Sequence, residues 1–371
     1  MSKTLQDYAI LINDTIQSNE INHYITTDNM CQNLGGIDTF KNINIPQGKV
    51  RSFLKDDILL SNIRLYFRKV YRAKQKGGCS SDVLVFRAKH IDSATLFAIL
   101  SSQIFTDYAC SGSQGSKMPR GNKTHMMDFK IPTINFTIAK IFNSIQNKIE
   151  NNHKINELLH KILELLYEQY FVRFDFLDEN NKPYQTSGGK MKFSKELNRL
   201  IPNDFEVKTL GELTQLKVGN KNANHSSNQG KYPFFTCSNN PLKCETYQFE
   251  GKHIIISGNG NFYVTHYDGK FDAYQRTYVV NPNNPNHYVL IYLFVKSYTN
   301  YLKLQSRGSI IKFITKSDIE NIKIVLPNLK TYTKWNNVLK MIENNNQATQ
   351  TLTVLRDFLL PLLLKQQVKP K

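Results

Sequence analysis

The stretch IENNHKIN at residues 149–156 returns as IENNNQAT at residues 342–349, and this repeat decides the organisation of the chain. A second pair has almost the same interval: TLQDYAIL at 4–11 is echoed by TLGELTQL at 209–216. Matches that recur in one order and at a nearly constant interval indicate an internal duplication. The sequence therefore predicts two copies of one unit, in the order domain, helix, domain, helix.

Two segments carry apolar residues at alternating spacings of four and three, which is typical of a coiled-coil seam. The first seam, with a polar centre, is Ile138, Phe142, Ile145, Ile149, Asn152, Asn156, Leu159, Leu163, Leu166 and Tyr170. The second is Val338, Met341, Asn345, Ala348, Leu352, Leu355, Leu359 and Leu362. The matching polar layers predict that the two helices pair antiparallel within the chain, and Pro361 should end or kink the second one. Ordinary bundle helices packed on their own domains are the alternative.

The regions before each helix favour a mixed α/β fold. Strands are predicted where Val, Ile and aromatic residues are dense, in DDILLS, SDVLVFRA, HIIISG and RTYVVN, and helices at 93–110 and 288–304. The resulting boundaries are a first domain at 1–135, a helix at 136–180, a polar linker at 181–206, a second domain at 207–328 and a second helix at 329–371.

The charge of the chain points to a polyanionic partner. Its 371 residues include 48 Lys and Arg against 30 Asp and Glu, for a formal net charge of +18. A folded protein of this charge is expected to bind nucleic acid, with an anionic membrane surface as the second possibility. The sequence has no apolar run long enough to span a membrane and no signal peptide. Its five scattered cysteines are expected to be reduced, in a cytoplasmic protein.

Motifs for catalysis, cofactors or metals are not found. The sequence has no phosphate-binding loop ending in Gly-Lys-Ser/Thr, and the GNG at 258–260 lacks the third glycine of a dinucleotide fingerprint. His266 and Asp268 could be interpreted as an acid–base pair. We favour the simpler interpretation that they are strand residues flanking a hairpin turn. We therefore expect no catalytic, cofactor-binding or metal-binding residues, and a protein that binds without catalysing.

Basic, amide and aromatic residues are interleaved at similar loop positions in both copies. The basic loop at 112–123 is echoed by QSRGSIIK at 305–312, with Gly115-Ser116 matching Gly308-Ser309, and Asn62 matches Asn259 in the turn after a strand. Arg reads guanine, Asn reads adenine, and Lys mostly meets phosphate. The candidate DNA-binding residues are Asn62, Arg64, Tyr66, Arg68, Lys69, Lys117, Arg120, Asn259, Asn261, Phe262, His266, Tyr267, Tyr274, Arg276, Arg307 and Lys312.

At these residues the chain resembles the specificity (S) subunit of type I restriction–modification systems, over nearly its whole length. DDILLSNIRLYFRKVYRAK, CSSDVLVFRAK and GSKMPRG look like one form of the family's target-recognition domain, and HIIISGNGNFYVTHYDGKFDAYQRTYVV looks like another. IPNDFEVKTLGEL resembles the entry into such a domain, with Phe205 where Trp is usual, and LLYEQYFVRFDF and VLRDFLLPLLL resemble the ends of the two helical regions.

The resemblance implies two mixed α/β target-recognition domains separated by a long antiparallel two-helix coiled coil. Each domain would read one half of a bipartite double-stranded DNA target, and the coil would set the spacer. Two methyltransferase (M) subunits would dock on the chain, and restriction/translocation (R) subunits would join them. S-adenosylmethionine, ATP and magnesium would lie on those partners, with no cofactor on this chain and no membrane contact.

Three other readings stay open at this point. The chain resembles, less closely, the recognition subunit of a related restriction system whose cleavage and methylation activities share one polypeptide. A self-contained nuclease or methyltransferase is disfavoured because its motifs are missing. A coiled-coil scaffold that binds nucleic acid or membranes through charge alone is the alternative from a different class.

Overall fold

The chain divides into two compact units. The computed structural model describes residues 3–39, 41, 43–131, 134–308, 311–327, 332 and 334–364. Unit 1 comprises Met1–Lys154 and Asn345–Lys371, and unit 2 comprises Ile155–Asn344. Each unit has its own hydrophobic cores, one large and one smaller. None of the described helices is both long and apolar enough to cross a membrane.

Unit 1 is built on two four-stranded sheets. Its elements are α1 Leu5–Tyr8, β1 Ala9–Ile12, β2 Thr15–Gln17, β3 Tyr24–Ile25, β4 Lys49–Phe53, β5 Ile58–Ser61, β6 Val70–Arg72, β7 Gly77–Cys79, β8 Val83–Ala88, α2 Ser93–Leu100, α3 Gln103–Ser111, α4 Lys123–Met127 and the first part of α5 Phe136–Tyr167. The sheets have the strand orders β1-β8-β5-β6 and β2-β4-β7-β3. Every residue of β5 is buried, which places this strand centrally and fixes the position of the turn that follows it.

Unit 2 is built on one six-stranded sheet. After the π-helical turn Glu168–Val172, its elements are β9 Met191–Ser194, β10 Arg199–Pro202, β11 Glu206–Thr209, α6 Leu210–Leu213, β12 Thr214–Val218, β13 Tyr232–Phe235, β14 Leu242–Cys244, β15 Phe249–Ser257, β16 Val264–Ala273, β17 Thr277–Pro282, α7 Tyr288–Ser297, α8 Thr299–Gln305, α9 Lys316–Glu320, β18 Lys323–Leu326 and the first part of α10 Trp335–Leu363. The sheet order is β12-β17-β15-β16-β13-β14. Strands β9 and β10 form a hairpin, and β11 pairs with β18.

The duplication predicted from the sequence extends to single hydrogen bonds. A Thr precedes α1 and α6, and in each case the carboxylate three residues later accepts from the backbone N–H of that Thr, Asp7 from Thr4 at 2.7 Å and Glu212 from Thr209 at 2.6 Å. The residue directly after the Thr is a fully buried leucine in both units. Its backbone N–H donates across the unit, from Leu5 to Phe129 O at 2.9 Å and from Leu210 to Ile322 O at 2.8 Å.

The four predicted strands form, as β5, β8, β15 and β17, while each predicted domain helix divides into two. The segment 93–110 breaks between α2 and α3 because the Ser102 hydroxyl caps the second helix, accepting from Phe105 N–H. The segment 288–304 breaks at Tyr298, between α7 and α8. The segment interpreted as a linker, 181–206, contains the hairpin of β9 and β10, and its Ile201 and Phe205 are buried in the core of unit 2.

The long helices α5 and α10 pair antiparallel within each unit, which confirms the predicted pairing. In unit 1, Asn152 Nδ2 donates to Thr349 Oγ1 at 3.1 Å, and Arg356 Nη1 donates to Gln146 Oε1 at 3.2 Å. In unit 2, Asn156 Nδ2 donates to the backbone oxygen of Ile342 at 3.3 Å. An amide facing a specific partner between two helices fixes their register.

The seam predicted for α10 is wrong by one residue. Met341, Ala348 and Leu355 are exposed, whereas the buried face of α10 is Trp335, Leu339, Ile342, Thr349, Arg356, Leu360 and Leu363. Two polar residues, Thr349 and Arg356, lie on this buried face. A search for apolar residues therefore selects the neighbouring face of the helix instead. The partner of Asn152 is therefore Thr349 and not Asn345. Pro361 lies inside α10, which ends two residues later at Leu363.

Candidate nucleic-acid interface

Each unit places a loop across the turn that follows its central strand. In unit 1 we call residues 61–69, 82 and 113–121 loop site 1. In unit 2 we call residues 257–264, 276, 306–308 and 311–314 loop site 2; the predicted Ser309 lies outside the described residues. The two sites are described separately below, and they are built from the same backbone hydrogen bonds.

In loop site 1 the turn after β5 is held from two sides. The backbone N–H of Asn62 donates to Asp82 O at 2.7 Å, and Asn62 O accepts from Gly121 N–H at 3.1 Å. Arg64 N–H donates to Pro119 O at 2.9 Å. The loop itself is a tight hairpin, because Gln114 and Arg120 exchange backbone hydrogen bonds of 2.9 and 2.8 Å.

Loop site 2 repeats this frame with different side chains. Gly258 N–H donates to Arg276 O at 2.7 Å, and Gly258 O accepts from Ile314 N–H at 3.0 Å. Gly260 N–H donates to Lys312 O at 2.8 Å. Arg307 and Phe313 exchange backbone hydrogen bonds of 3.0 and 2.8 Å, as Gln114 and Arg120 do in unit 1.

These bonds align the two sites residue by residue. Gly115 and Gly308 follow the first residue of each hairpin with φ values of +97° and +99°, so the predicted match between them holds in backbone conformation. Asn62 aligns with Gly258, one residue away from the predicted partner Asn259. The backbone frame is thus common to both sites, whereas the residue type differs at most aligned positions.

Loop site 1 presents exposed cations and one exposed ring. Lys117 and Arg120 are exposed, and Arg120 Nη2 forms an ion pair with Asp82 Oδ1 at 2.9 Å. Arg64 Nη2 donates to Lys117 O at 3.4 Å, which joins the turn to the loop. The ring of Tyr66 is 53% exposed and is available for contact with a base or sugar.

Two predicted cations of this site, Arg68 and Lys69, face the protein. Arg68 Nη2 donates to Ser101 O at 2.8 Å, and Lys69 Nζ donates to Thr27 O at 2.5 Å. Burial lowers the pKa of each side chain from its ordinary value. Because their hydrogen bonds are directed inward, these residues hold the turn in place in this structure.

Loop site 2 also presents cations, at other positions of the common frame. Arg276, Arg307 and Lys312 are exposed, and Arg307 Nη2 forms an ion pair with Asp318 Oδ1 at 3.2 Å. Asn261 is exposed and donates to Tyr263 Oη at 3.1 Å. The aspartates that orient the arginines, Asp82 and Asp318, were not among the predicted residues, since an ion pair so distant in sequence leaves no local pattern.

The side-chain amides of Asn62 and Asn259 share one property. The Oδ1 atom of each is buried and has no hydrogen-bond partner among the described residues. A buried acceptor without a partner is costly, and such atoms in natural proteins often meet water or a ligand.

Of the aromatic and imidazole residues predicted in unit 2, Phe262 alone belongs to loop site 2, and its ring is turned into the core. Phe262 is fully buried, and the His266 ring packs at 4.9 Å from that of Tyr292. Tyr267, on the opposite face of β16, lies 5.4 Å from Phe235, and burial raises its pKa. Tyr274 is half-buried and forms a β-bridge with Lys221. Strand alternation, which separates neighbours onto two faces, explains this dispersal.

One group of side chains in unit 2 has the composition of a metal site. His225, Cys244 and Asp272 bring one ligand atom each to within 4.8 Å of one another. They belong to three separate segments of the sequence, so no spacing motif could have predicted that they meet.

Comparison with known proteins relates these features to a family. Residues 202–354 match the family described as the type I restriction modification DNA specificity domain. The chain is 37% identical over 132 residues to the type I restriction enzyme EcoDI specificity subunit of Escherichia coli, covering 34% of this chain and 28% of that subunit. It is 24% identical over 301 residues to the MjaIX specificity subunit of Methanocaldococcus jannaschii, covering 72% of this chain and 67% of that protein.

A solved structure resembles the fold of the whole chain. The crystal structure of the type I restriction–modification S subunit from M. genitalium superposes with a TM-score of 0.61 at 17% sequence identity. The superposition covers 99% of this chain and 96% of that one. At this identity the likeness concerns the fold, which agrees with the two mixed α/β units and paired long helices described above.

Proposed function

We propose that the two units of this chain each read one half of a bipartite double-stranded DNA target. The premise is that the chain belongs to the family of type I restriction–modification specificity subunits. The observation that carries this proposal is the common backbone frame of the two loop sites, which holds exposed arginines in both units. A duplicated frame with different side chains suits two half-sites of different sequence.

Electrostatics support DNA as the partner. The formal net charge is +18, and each loop site exposes cations. The ion pairs of Arg120 with Asp82 and of Arg307 with Asp318 leave the arginine side chains about 60% exposed, at 61% and 62%. An arginine oriented from one side and free on the other is suited to guanine or phosphate.

The long helices are proposed to set the spacer between the half-sites. Helix α5 has 32 residues and α10 has 29, and each begins in one unit and ends in the other. At a rise of 1.5 Å per residue, 32 residues span about 48 Å, which is more than the roughly 34 Å of one DNA turn. The polar contacts of Asn152 and Asn156 support a defined register, which a spacer requires.

The same helices are proposed to dock two methyltransferase subunits. In unit 2, α5 exposes a stripe at heptad-like spacing made of Leu158, Ile162 and Leu165. In unit 1, α10 exposes Val354 and Phe358, at 73% and 67%. Exposed apolar side chains on helices that already have a partner indicate a further protein interface. The R subunits would join through that assembly.

We assign methylation and cleavage to those partners, in the cytoplasm. S-adenosylmethionine, ATP and magnesium would then be bound by the partners and not by this chain. Incubation of the pure chain with labelled S-adenosylmethionine and DNA should leave the DNA unlabelled, and label should appear when the methyltransferase subunit is added. Transfer of label by this chain alone would contradict the binding role.

The function is tested by sequencing the methylome of the host with and without this gene. We expect one bipartite adenine-methylated motif to disappear with the gene and to return on complementation. Complementation with Phe358→Asp should fail, because a charge on the exposed face of α10 blocks docking while leaving both loop sites unchanged. An unchanged methylome after deletion would reject the proposal.

A further inference from the structure

Unit 2 contains a cluster of three metal-ligating side chains that DNA reading does not use. His225 lies in the 3-10 turn Ala223–His225, Cys244 ends β14 and Asp272 lies in β16. His225 Nε2 is 2.9 Å from Asp272 Oδ2, and the three ligand atoms lie within 4.8 Å of one another. We propose that these residues form a zinc site that ties the 220–246 segment to the central sheet.

The hydrogen bonds of Asp272 leave one ligand position open. The side chain of Asp272 is completely buried, and its Oδ2 already accepts from Thr246 Oγ1 at 2.6 Å and contacts His225 Nε2. Its Oδ1 has no hydrogen-bond partner among the described residues, although it is buried. A buried carboxylate oxygen left unpaired is unfavourable, and coordination to a cation would satisfy it.

The donor set selects the metal. A thiolate, an imidazole and a carboxylate together suit Zn²⁺, whereas Mg²⁺ and Ca²⁺ prefer oxygen ligands only. With zinc, the charges of Cys244 thiolate, Asp272 carboxylate and neutral His225 sum to zero with the metal, so the buried site carries no net charge. The fourth position would be taken by the Thr246 hydroxyl or by water, because Thr246 is exposed to solvent.

The distances are compatible with metal binding after a small movement. Donor atoms about 2.0–2.3 Å from a tetrahedral zinc ion lie roughly 3.4 Å apart. The contact of 2.9 Å between His225 Nε2 and Asp272 Oδ2 must open slightly, and the wider separations, all within 4.8 Å, must close. The His225 side chain is 24% exposed and is held by an edge contact with the ring of Phe234 at 5.3 Å, so it can adjust without moving the sheet.

A zinc site here would brace the part of unit 2 that lies next to a candidate DNA-binding residue. Strand β13 is paired with both β14 and β16, and Asp272 is aligned with Phe234 across that pairing. Lys221, at the start of the same segment, forms a β-bridge with Tyr274. The metal would link β14 and β16 to the turn that precedes β13, through side chains as well as through the backbone pairing of the strands.

The test measures zinc on the purified full-length chain. The protein is freed of metal with a chelator, equilibrated with Zn²⁺ and desalted, and its zinc is measured by mass spectrometry. We expect one zinc ion per chain for the wild type and for Cys237→Ser, whose thiol lies outside the cluster. We expect Cys244→Ser and His225→Ala to bind zinc at least tenfold more weakly. Co²⁺ in place of Zn²⁺ should give a thiolate charge-transfer absorption that Cys244→Ser lacks.

A folding control keeps the result interpretable. Circular dichroism and thermal unfolding are recorded for each variant, and Zn²⁺ should raise the melting temperature of the wild type and of Cys237→Ser but not of His225→Ala. His225 is partly exposed, so its replacement leaves the core intact. A wild-type chain that holds no zinc above the level of Cys244→Ser, or a Cys237→Ser variant that loses it, would overturn the proposal.

Discussion

Loop site 1 and loop site 2 share a backbone and differ in the positions of their cations. In unit 1 the arginine of the loop is Arg120, at the closing end of the hairpin, and its partner Asp82 is the residue before β8. In unit 2 the arginine is Arg307, at the opening end, and its partner Asp318 comes from α9. The aligned positions are occupied by Gln114 and Phe313.

The difference separates the backbone hydrogen bonds that fold each site from the exposed side chains that are proposed to contact DNA. Backbone hydrogen bonds depend little on side-chain type, so they survive duplication while the exposed side chains change. On the proposed function, the two sites would hold the same loop against DNA and present different donors to it. If this account is correct, changes to the frame should have larger effects than changes to a single exposed side chain.

The largest effect is expected from Gly308→Ala, with Gly115→Ala as its matched variant. Both glycines have positive φ, a backbone conformation that costs an alanine about 1–2 kcal/mol. At Gly308 the new Cβ would also lie 2.3 Å from Ile311 O, whereas at Gly115 the nearest atom is 3.6 Å away. We expect Gly308→Ala to weaken binding of its half-site by more than the loss of a single exposed arginine does, and Gly115→Ala to have a smaller effect.

This comparison is measured with DNA duplexes that carry either half-site mutated, in the presence of the methyltransferase subunit. The loss of affinity caused by Gly308→Ala should disappear when the half-site read by unit 2 is already mutated in the DNA. Equal losses for the two glycine variants would mean that the close approach at Gly308 does not hold the loop.

An intermediate effect is expected from Arg120→Ala and Arg307→Ala. If the arginine meets a base, its loss should cost about 1–3 kcal/mol and relax one position in one half of the target. If it meets phosphate, binding should weaken for all sequences and the salt slope should fall by about one. Lys117→Ala is expected to follow the phosphate pattern.

The control for the arginine variants is Lys55→Ala, because Lys55 is exposed and precedes β5, at the opposite end from loop site 1. Competition titrations at several salt concentrations separate the two patterns. Wild-type affinity in both arginine variants would show that neither loop contacts DNA.

The smallest effect is expected from a change of pH, which should alter the stability of unit 2 through His160. The helix contacts of unit 1 and unit 2 differ in this respect. In unit 1, Arg356 meets Gln146. In unit 2, burial, followed by the nearby charges of Lys296 and His266, lowers the pKa of His160 to about 4. A histidine with a depressed pKa stabilises the fold when neutral, so its contribution is complete above the unfolded pKa near 6.5 and declines as the pH falls towards 4.

Unit 2 should therefore lose about 1–2 kcal/mol of unfolding free energy between pH 6.5 and pH 5 because of this one residue. Denaturant unfolding of wild type and of His160→Gln across that range checks the expectation, and the variant should show the flatter profile. Parallel profiles would mean that His160 does not titrate as its surroundings imply.

The sequence predicted the features that repeat and missed those that depend on distant contacts. Four strands, the two long helices and the match of Gly115 with Gly308 were predicted because each leaves a local pattern. The α10 seam was missed because Thr349 and Arg356 are polar, although aligning IENNHKIN with IENNNQAT places Ile342 and Thr349 opposite the buried Ile149 and Asn156.

The site residues were predictable only in part. Lys117, Arg120, Arg307 and Lys312 lie on the loops as expected, but whether a side chain turns outward depends on contacts that sequence does not reveal. Arg68 is directed inward by Ser101 O, and Phe262 fills the core beneath the turn. His225, Cys244 and Asp272 meet only because three segments fold together.

The central claim, that each unit reads one half-site independently, is tested most directly by exchanging residues 1–135 for the matching domain of another specificity subunit and sequencing the methylome. The account predicts a new sequence in one half of the methylated target, with the other half and the spacer length unchanged. A change in both halves, or in the spacer alone, would contradict it.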